Sequence, residues 1–274
     1  SDVLASGACG SGSASSGFVP SDSVLPDSAP SDFVPSGSAL SGSALSDSAH
    51  SASASFSSLS GVTSAVSGPA DLPPFERFAL GVYPFLELQP FHRAYYRVLE
   101  AFAAGRVRRL IVTMPPQHGK SEGSTRRLPA YILGRNPDNK IAVVSYSAPK
   151  ARKFNREIQR IIDTPEYAEI FPETRLNSSN ITTVAGAWLR NADECEIVGH
   201  RGGFKTVGVG GPLTGEPVDT LIMDDIYKDA KTAWSAVVRE AIEDWYDTVA
   251  ETRLHNNSQQ LIVFTRWHEK DLAG

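Results

Sequence analysis

Four apolar runs rich in β-branched residues occur after residue 100, and each is short enough to be a buried strand. They cover residues 110–112, 140–146, 219–225 and 259–265. Between them, apolar residues recur at the spacing of one helix face, in segments that begin near Pro90, Ser121, Ser147 and Ser235. Strands that alternate with helices favour an α/β fold with a mostly parallel central sheet flanked by helices.

The first 70 residues differ from the rest, since they consist largely of Ser, Ala, Gly and Asp in loose repeats. They hold too little apolar surface to offset the loss of chain entropy, so we expect a disordered tail. A solenoid is the alternative, but the repeats are irregular and lack the bulky positions of a stacked core. From Leu72 the composition changes to Pro, Phe, Tyr and Leu, which predicts one folded domain over residues 71–274.

The net charge of −5 comes from this tail, which carries five Asp residues and no Lys, Arg or Glu. Removing those five from the 31 acidic residues leaves 26 acidic against 26 basic residues in the remainder. Any contact with nucleic acid must therefore use a local basic cluster. Two cysteines exclude a disulfide scaffold or a cysteine-based zinc site, and no apolar run reaches the roughly 20 residues of a membrane span.

A strand, a tight loop and a helix start are predicted over residues 108–121, where Gly119, Lys120 and Ser121 open the helix. A nucleotide triphosphate needs inward backbone N–H groups, a cation for its β- and γ-phosphates and a hydroxyl for Mg²⁺, and these three residues supply them. The loop departs from the P-loop pattern because Met114 occupies the position of the first glycine. A loop with an incidental lysine is the alternative.

Asp224 and Asp225 end another apolar strand. In a nucleotide motor one such carboxylate binds the Mg²⁺ shell and the next polarises the attacking water, roles that fall to Asp224 and Asp225. Two acids that merely start a turn are the alternative. Thr265 and Arg266 end the last strand, and the carboxyl ends of parallel strands share one edge of a sheet. We therefore expect all these polar groups to converge.

Three further segments are candidates for ligand contact. Gln89 and Phe91 precede the P-loop strand and could hold an adenine, although an ordinary core aromatic is the favoured interpretation of Phe91. The glycine-rich residues 208–215 predict a mobile loop or a close backbone approach to a ligand. The helix after Ser147 has a basic face that could contact a phosphate backbone or could simply be solvated; it carries Lys150, Arg152, Lys153, Arg156 and Arg160.

With these motifs in hand, residues 90–274 resemble the ATPase domain of large terminase subunits, the DNA-packaging motors of tailed bacteriophages. The resemblance rests on residues 115–121, 207–215, 221–225, 244–246 with 252–254, and 265–274. It implies a RecA-like (ASCE) P-loop NTPase and makes the missing glycine a family trait. It also implies an arginine finger, either Arg126 or Arg127 within the chain or Arg201 from a neighbouring subunit. The nucleotide contacts it implies are Gln89, Phe91, Pro116, Gln117, His118, Gly119, Lys120, Ser121, Glu122, Thr265 and Arg266.

The resemblance further implies ATP and Mg²⁺ as cofactors, and double-stranded DNA, a portal protein and a small terminase subunit as partners. It implies a homo-oligomeric ring on the portal, in the cytoplasm of the infected bacterial host. Family members continue into an RNase H-like nuclease domain that is not seen after Gly274, so we expect ATP hydrolysis without DNA cleavage. Two other hypotheses remain: a RecA-like helicase, which would need a second RecA lobe, and an ATP-binding docking module without turnover.

Overall fold

The computed structural model describes residues 72–182, 186–213, 215 and 217–272. Its centre is a six-stranded sheet in the order β1-β6-β5-β2-β4-β3. The strands are β1 (Arg109–Thr113), β2 (Lys140–Ser145), β3 (Glu194–Glu196), β4 (Gly203–Gly208), β5 (Val218–Asp224) and β6 (Leu254–Phe264). All neighbouring pairs are parallel except β3 and β4. The predicted fold class, an α/β domain with a mostly parallel central sheet flanked by helices, is confirmed.

Seven α-helices surround the sheet in the described part of the chain. They are α1 (Pro74–Val82), α2 (Pro90–Ala103), α3 (Leu128–Arg135), α4 (Ala148–Ile162), α5 (Pro165–Ile170), α6 (Ala230–Trp234) and α7 (Ala236–Trp245). A π-helix at Glu122–Arg127 leads into α3, and a second π-turn and a 3₁₀ turn follow α7 at Tyr246–Ala250 and Glu251–Arg253.

β2, β5 and the second half of β6 are buried on both faces, which explains why they read as unbroken apolar runs. β1 lies at the edge of the sheet with Ile111 53% exposed, so the burial predicted for this strand is wrong. On β2, Ile141 and Val143 face a core built with α1 to α5, whereas Ala142 and Val144 face a second core built with α6 and α7. The same alternation continues on β5 and β6. Each central strand thus contributes to two cores, and only its carboxyl end is available for polar chemistry.

The helices predicted after the P-loop and from Ser235 through Arg253 are both present, with π-helical stretches at Glu122–Arg127 and Tyr246–Ala250 and a 3₁₀ turn at Glu251–Arg253. Two details of the helix predictions were wrong. Val237, expected on the apolar face of the second of these helices, is 74% exposed, because α7 packs through Ile242 and Trp245 instead. Ser147 does stand at the start of α4, but its side chain makes no capping hydrogen bond.

The predicted tail, residues 1–70, lies outside the described residues, so its disorder stays a prediction. No helix within the described ranges is long and apolar enough to cross a membrane.

Candidate active site

Three polar strand ends meet around the Lys120 ammonium. Its Nζ lies 3.0 Å from Asp225 Oδ2 and donates a 3.0 Å hydrogen bond to Thr265 Oγ1, although Thr265 is 145 residues away in sequence. The Thr265 backbone N–H donates to Asp225 Oδ1 at 3.2 Å. Strand order explains this meeting, because β6 lies between β1, which leads into the P-loop, and β5, which ends in the acid pair. The expected convergence is therefore present, with the lysine side chain 7% exposed at its centre.

The start of the loop from Met114 to Ser121 is held by hydrogen bonds to the end of β6. Met114 N–H donates to Phe264 O at 3.3 Å, and Met114 O accepts from Thr265 Oγ1 at 3.2 Å. Met114 thus extends the pairing with β6 and stays extended, so a glycine is not required there. The positive φ values occur instead at Gln117, 62°, and at Gly119, 75°.

Asp224 is the most buried acid of the site, at 1% exposure. Thr125 Oγ1 donates to its Oδ2 at 2.8 Å, whereas Oδ1 has no hydrogen-bond partner among the described residues. Burial raises the pKa of Asp224 to about 6, and the neighbouring Asp225 charge adds to the rise, while the Ser121 and Thr125 hydroxyls and Lys120 oppose it. The site therefore holds an under-satisfied carboxylate that a cation would stabilise.

These residues fit a Mg²⁺ ion. The buried Asp224 Oδ1 and the Ser121 hydroxyl are the hard oxygen donors that Mg²⁺ prefers, and Mg²⁺ commonly takes one or two protein ligands together with substrate phosphates and water. Among the described residues no group of three or more His, Cys, Asp or Glu side chains could hold a metal by itself.

Asp225 has a backbone φ of 46°, in the left-handed region that Asp tolerates better than most residues. Its N–H donates to Val263 O at 2.9 Å, which locks this turn onto β6. Its side chain is 32% exposed, so it faces the opening of the site while Asp224 faces the interior. This difference in exposure separates the two acids.

The arginine candidates are not directed at the site. Arg126 pairs with Glu122 and, through Nε at 2.7 Å, with Glu157, and Arg127 also pairs with Glu122. Burial acts to raise the pKa of Glu122, but Arg127 and then Arg126 outweigh burial and lower it. Glu122 is therefore held as an ionised partner of two arginines, away from the nucleotide contacts expected of it.

Arg201 lies at the opposite edge of the sheet. Its backbone N–H donates to Asp138 Oδ1 at 2.9 Å, just before β2 begins, whereas Lys120 lies beyond the carboxyl ends of the strands. A six-residue strand is about 20 Å long, so Arg201 cannot reach the site of its own chain. Arg266 is paired with an acid as well: its Nε lies 3.1 Å from the buried Asp271.

The proposed adenine contacts lie beside the loop. Phe91 is 44% exposed, so its interpretation as a core aromatic is wrong, and its ring centroid lies 6.0 Å from that of His118. Gln89 stands at the start of α2, where its side chain caps the helix. A cavity of about 320 Å³ on the β1–β6 side is lined by Pro116, Thr265 and Arg266 together with Thr113, Met114 and Pro115.

Two other segments were only partly anticipated. The glycine-rich segment is held at Gly211, whose carbonyl accepts from Trp245 Nε1 at 2.9 Å. On α4, Arg152 pairs with Asp193 and Lys150 lies over the Phe154 ring. Arg152 is still exposed, and together with it the exposed basic residues of α4 are Lys153, Arg156 and Arg160.

Sequence reasoning missed the residues that support the loop. Thr125 could have been found, because it follows Ser121 by four residues and so shares its helix face. Tyr95, whose hydroxyl donates to Lys120 O at 2.8 Å, was predicted only as an apolar helix position. The contact of His92 with the loop gave no signal, because it joins two segments that periodicity does not relate.

Comparison with known proteins gives the following matches. The family model of the large terminase subunit, T4likevirus-type, N-terminal, matches residues 111–273. The large terminase of bacteriophage HK97 is 16% identical with a TM-score of 0.42, over 70% of this chain and 37% of that one. The ATPase domain of the Thermus phage P74-26 large terminase is 16% identical with a TM-score of 0.41, over 68% and 67%. An arginine-to-alanine mutant of the latter is 17% identical with a TM-score of 0.40. None of the curated protein sequences matches.

Proposed function

The chain belongs to the family of large terminase subunits of the T4-like-virus type, and from this premise we propose that it is the ATPase motor of a viral DNA-packaging terminase. In this proposal it couples ATP hydrolysis to translocation of double-stranded DNA into a procapsid. The observation that carries it is the contact of Lys120 with Asp225 and Thr265 beside the buried Asp224.

The site supports hydrolysis through its own charges. Lys120 would exchange Asp225 and Thr265 for the β- and γ-phosphates of ATP and stabilise the charge that develops on them. Asp225 Oδ2, then released, would accept the proton of the attacking water. Asp224 and Ser121 would hold Mg²⁺, which neutralises phosphate charge when bound.

Thr265 is the proposed link between hydrolysis and movement. The Thr265 hydroxyl contacts Lys120 and the Thr265 N–H contacts Asp225. If Lys120 moved to a phosphate, Thr265 would lose its contact with the lysine, and Asp225, its other partner, would lose its ion pair. Arg266 follows directly and pairs with the buried Asp271, which connects the site to the segment after β6. A shift at Lys120 would thereby reach the surface of the domain.

The partners belong to the same proposal. Lys153, Arg156 and Arg160 on α4 offer a short basic stripe for the DNA backbone. We propose assembly into a ring on a portal protein with a small terminase subunit, in the cytoplasm of the infected host, with an arginine finger supplied across the ring. We propose that the chain does not cut DNA by itself.

A Lys120→Ala variant tests the assignment. The proposal expects loss of phosphate release by at least about 100-fold, because the cation at the transferred phosphate is removed. Lys231→Ala, at an exposed lysine of α6, is the matched control and should keep full turnover. Undiminished turnover in Lys120→Ala would refute the site.

A docking module that binds ATP without turnover is the second candidate. It is favoured by the engagement of Asp225 with Lys120, which leaves the proposed base neutralised until a ligand displaces it. Phosphate release measured with and without DNA and partner proteins separates the two. ATP binding with no turnover under any of these conditions would favour the docking module.

A further inference from the structure

His92 joins the start of α2 to the P-loop. The Gln89 backbone N–H donates to His92 Nδ1 at 3.1 Å, so Nδ1 is an acceptor. The neutral ring must then carry its proton on Nε2, a tautomer that we assign from the hydrogen bonds. Nε2 lies 3.1 Å from His118 O and therefore donates to that carbonyl. One ring thus caps a helix with one nitrogen and holds the P-loop with the other.

The held carbonyl belongs to the peptide between His118 and Gly119. No cis peptide occurs in the described ranges, and in a trans peptide the C=O and N–H point in opposite directions. Because His92 draws the carbonyl toward α2, the N–H of Gly119 points to the other side. Inward N–H groups in this loop are what phosphate oxygens bind.

Gly119 itself gives this peptide little resistance to rotation. Its φ is 75°, and glycine adopts positive and negative φ with similar ease. A flip of the 118–119 peptide would turn the carbonyl inward, where it would repel a phosphate. The His92 ring also packs against the loop, since a Cβ added to Gly119 would lie 3.0 Å from Nε2.

We propose that His92 is a positioning residue that fixes the 118–119 peptide in the orientation that binds phosphate. The inference rests on the proposed nucleotide site. It assigns His92 no contact with the reacting atoms, and it explains why the ring bonds the loop backbone at this one carbonyl.

Two substitutions test the roles of the two His92 ring nitrogens separately. His92→Asn keeps an acceptor near the position of Nδ1 but is too short to reach His118, whereas His92→Gln carries an amide donor to the position of Nε2 and gives up the cap. Binding of Mg²⁺-ATP is measured by calorimetry on the full chain, together with the unfolding temperature. The control is His200→Asn, the same change at a histidine at the far edge of the sheet.

We expect His92→Asn to unfold near the wild-type temperature but to bind ATP about five- to tenfold more weakly, the effect of one hydrogen bond. We expect His92→Gln to unfold at a lower temperature and to bind within about twofold of wild type. Binding that follows stability in both variants would overturn the positioning role. If the wild-type chain binds no ATP, the proposed function is refuted together with this inference. If the wild-type chain binds ATP and His92→Asn binds it equally well, only the positioning role of His92 is refuted.

Discussion

Replacement of Asp224 by Asn should abolish hydrolysis and yet stabilise the metal-free fold. The carboxylate is 1% exposed, and Thr125 donates a hydrogen bond to its Oδ2, whereas Oδ1 has no hydrogen-bond partner within the described part of the chain. Burial, and after it the Asp225 charge, raises its pKa to about 6, whereas an Asp in an unfolded chain has a pKa of about 3.9. Asn has the same shape, carries no charge, and can still accept the Thr125 hydrogen bond.

The raised pKa of Asp224 determines whether the substitution stabilises or destabilises the fold. A carboxyl with a higher pKa in the folded state binds its proton more tightly there, so folding bears no penalty below about pH 4 and an increasing one as the pH rises to about 6. Two pKa units correspond to about 3 kcal/mol. We therefore expect Asp224→Asn to raise the free energy of unfolding by up to about 3 kcal/mol at pH 8 and by about half of that at pH 5.

The assay is urea unfolding with a chelator and without nucleotide, at both pH values. Asp247→Asn, the same change at an exposed residue, should shift stability by less than about 0.5 kcal/mol. A destabilised Asp224→Asn variant at pH 8, or an equal gain at both pH values, would refute the claim that a buried charge opposes folding here. The expected result would mean that Asp224, the residue proposed to bind Mg²⁺, destabilises the metal-free fold.

Two further predictions concern the packing of the domain. Gly134→Ala should destabilise by about 1 to 2 kcal/mol, since the new Cβ would lie 2.3 Å from the Phe171 ring and overpacking outweighs the gain of about 1 kcal/mol in helix propensity. A Cβ added at Gly81 would lie 3.4 Å from its nearest atom, so Gly81→Ala should be neutral or slightly stabilising. Thermal unfolding of both variants tests this, and a higher unfolding temperature for Gly134→Ala than for Gly81→Ala would contradict it. Burial raises the pKa of Cys195 to about 12, so its thiol should react slowly in the native chain. In a Cys9→Ser background at pH 8, the native chain should react with a thiol reagent at least about tenfold more slowly than the urea-unfolded chain. The absorbance of the thiolate released from the reagent measures the rate. Similar rates in the two states would show that the thiol is accessible.

Much of the chemistry was predictable because it is local. The apolar runs ending at Thr113, Asp224 and Phe264 predicted the strands, although only the last two runs are buried on both faces, where no polar side interrupts them. The P-loop triplet and the acid pair stand where those strands end, so their meeting followed from the rule for parallel sheets. The local patterns were least reliable at Val237 and Phe91, where burial depends on which neighbouring element covers the side chain.

The sequence by itself thus determined the α/β class, the strands and the polar residues at their ends, because each of these depends on neighbours a few residues away. Tertiary structure alone decided the strand order that sets Thr265 against Lys120, the pairing of Arg126 with Glu157, and the bond from His92 to His118. Those contacts join segments whose separation along the chain has no periodicity, so no sequence pattern encodes them. They follow from how whole elements pack, which is fixed only when the entire core forms.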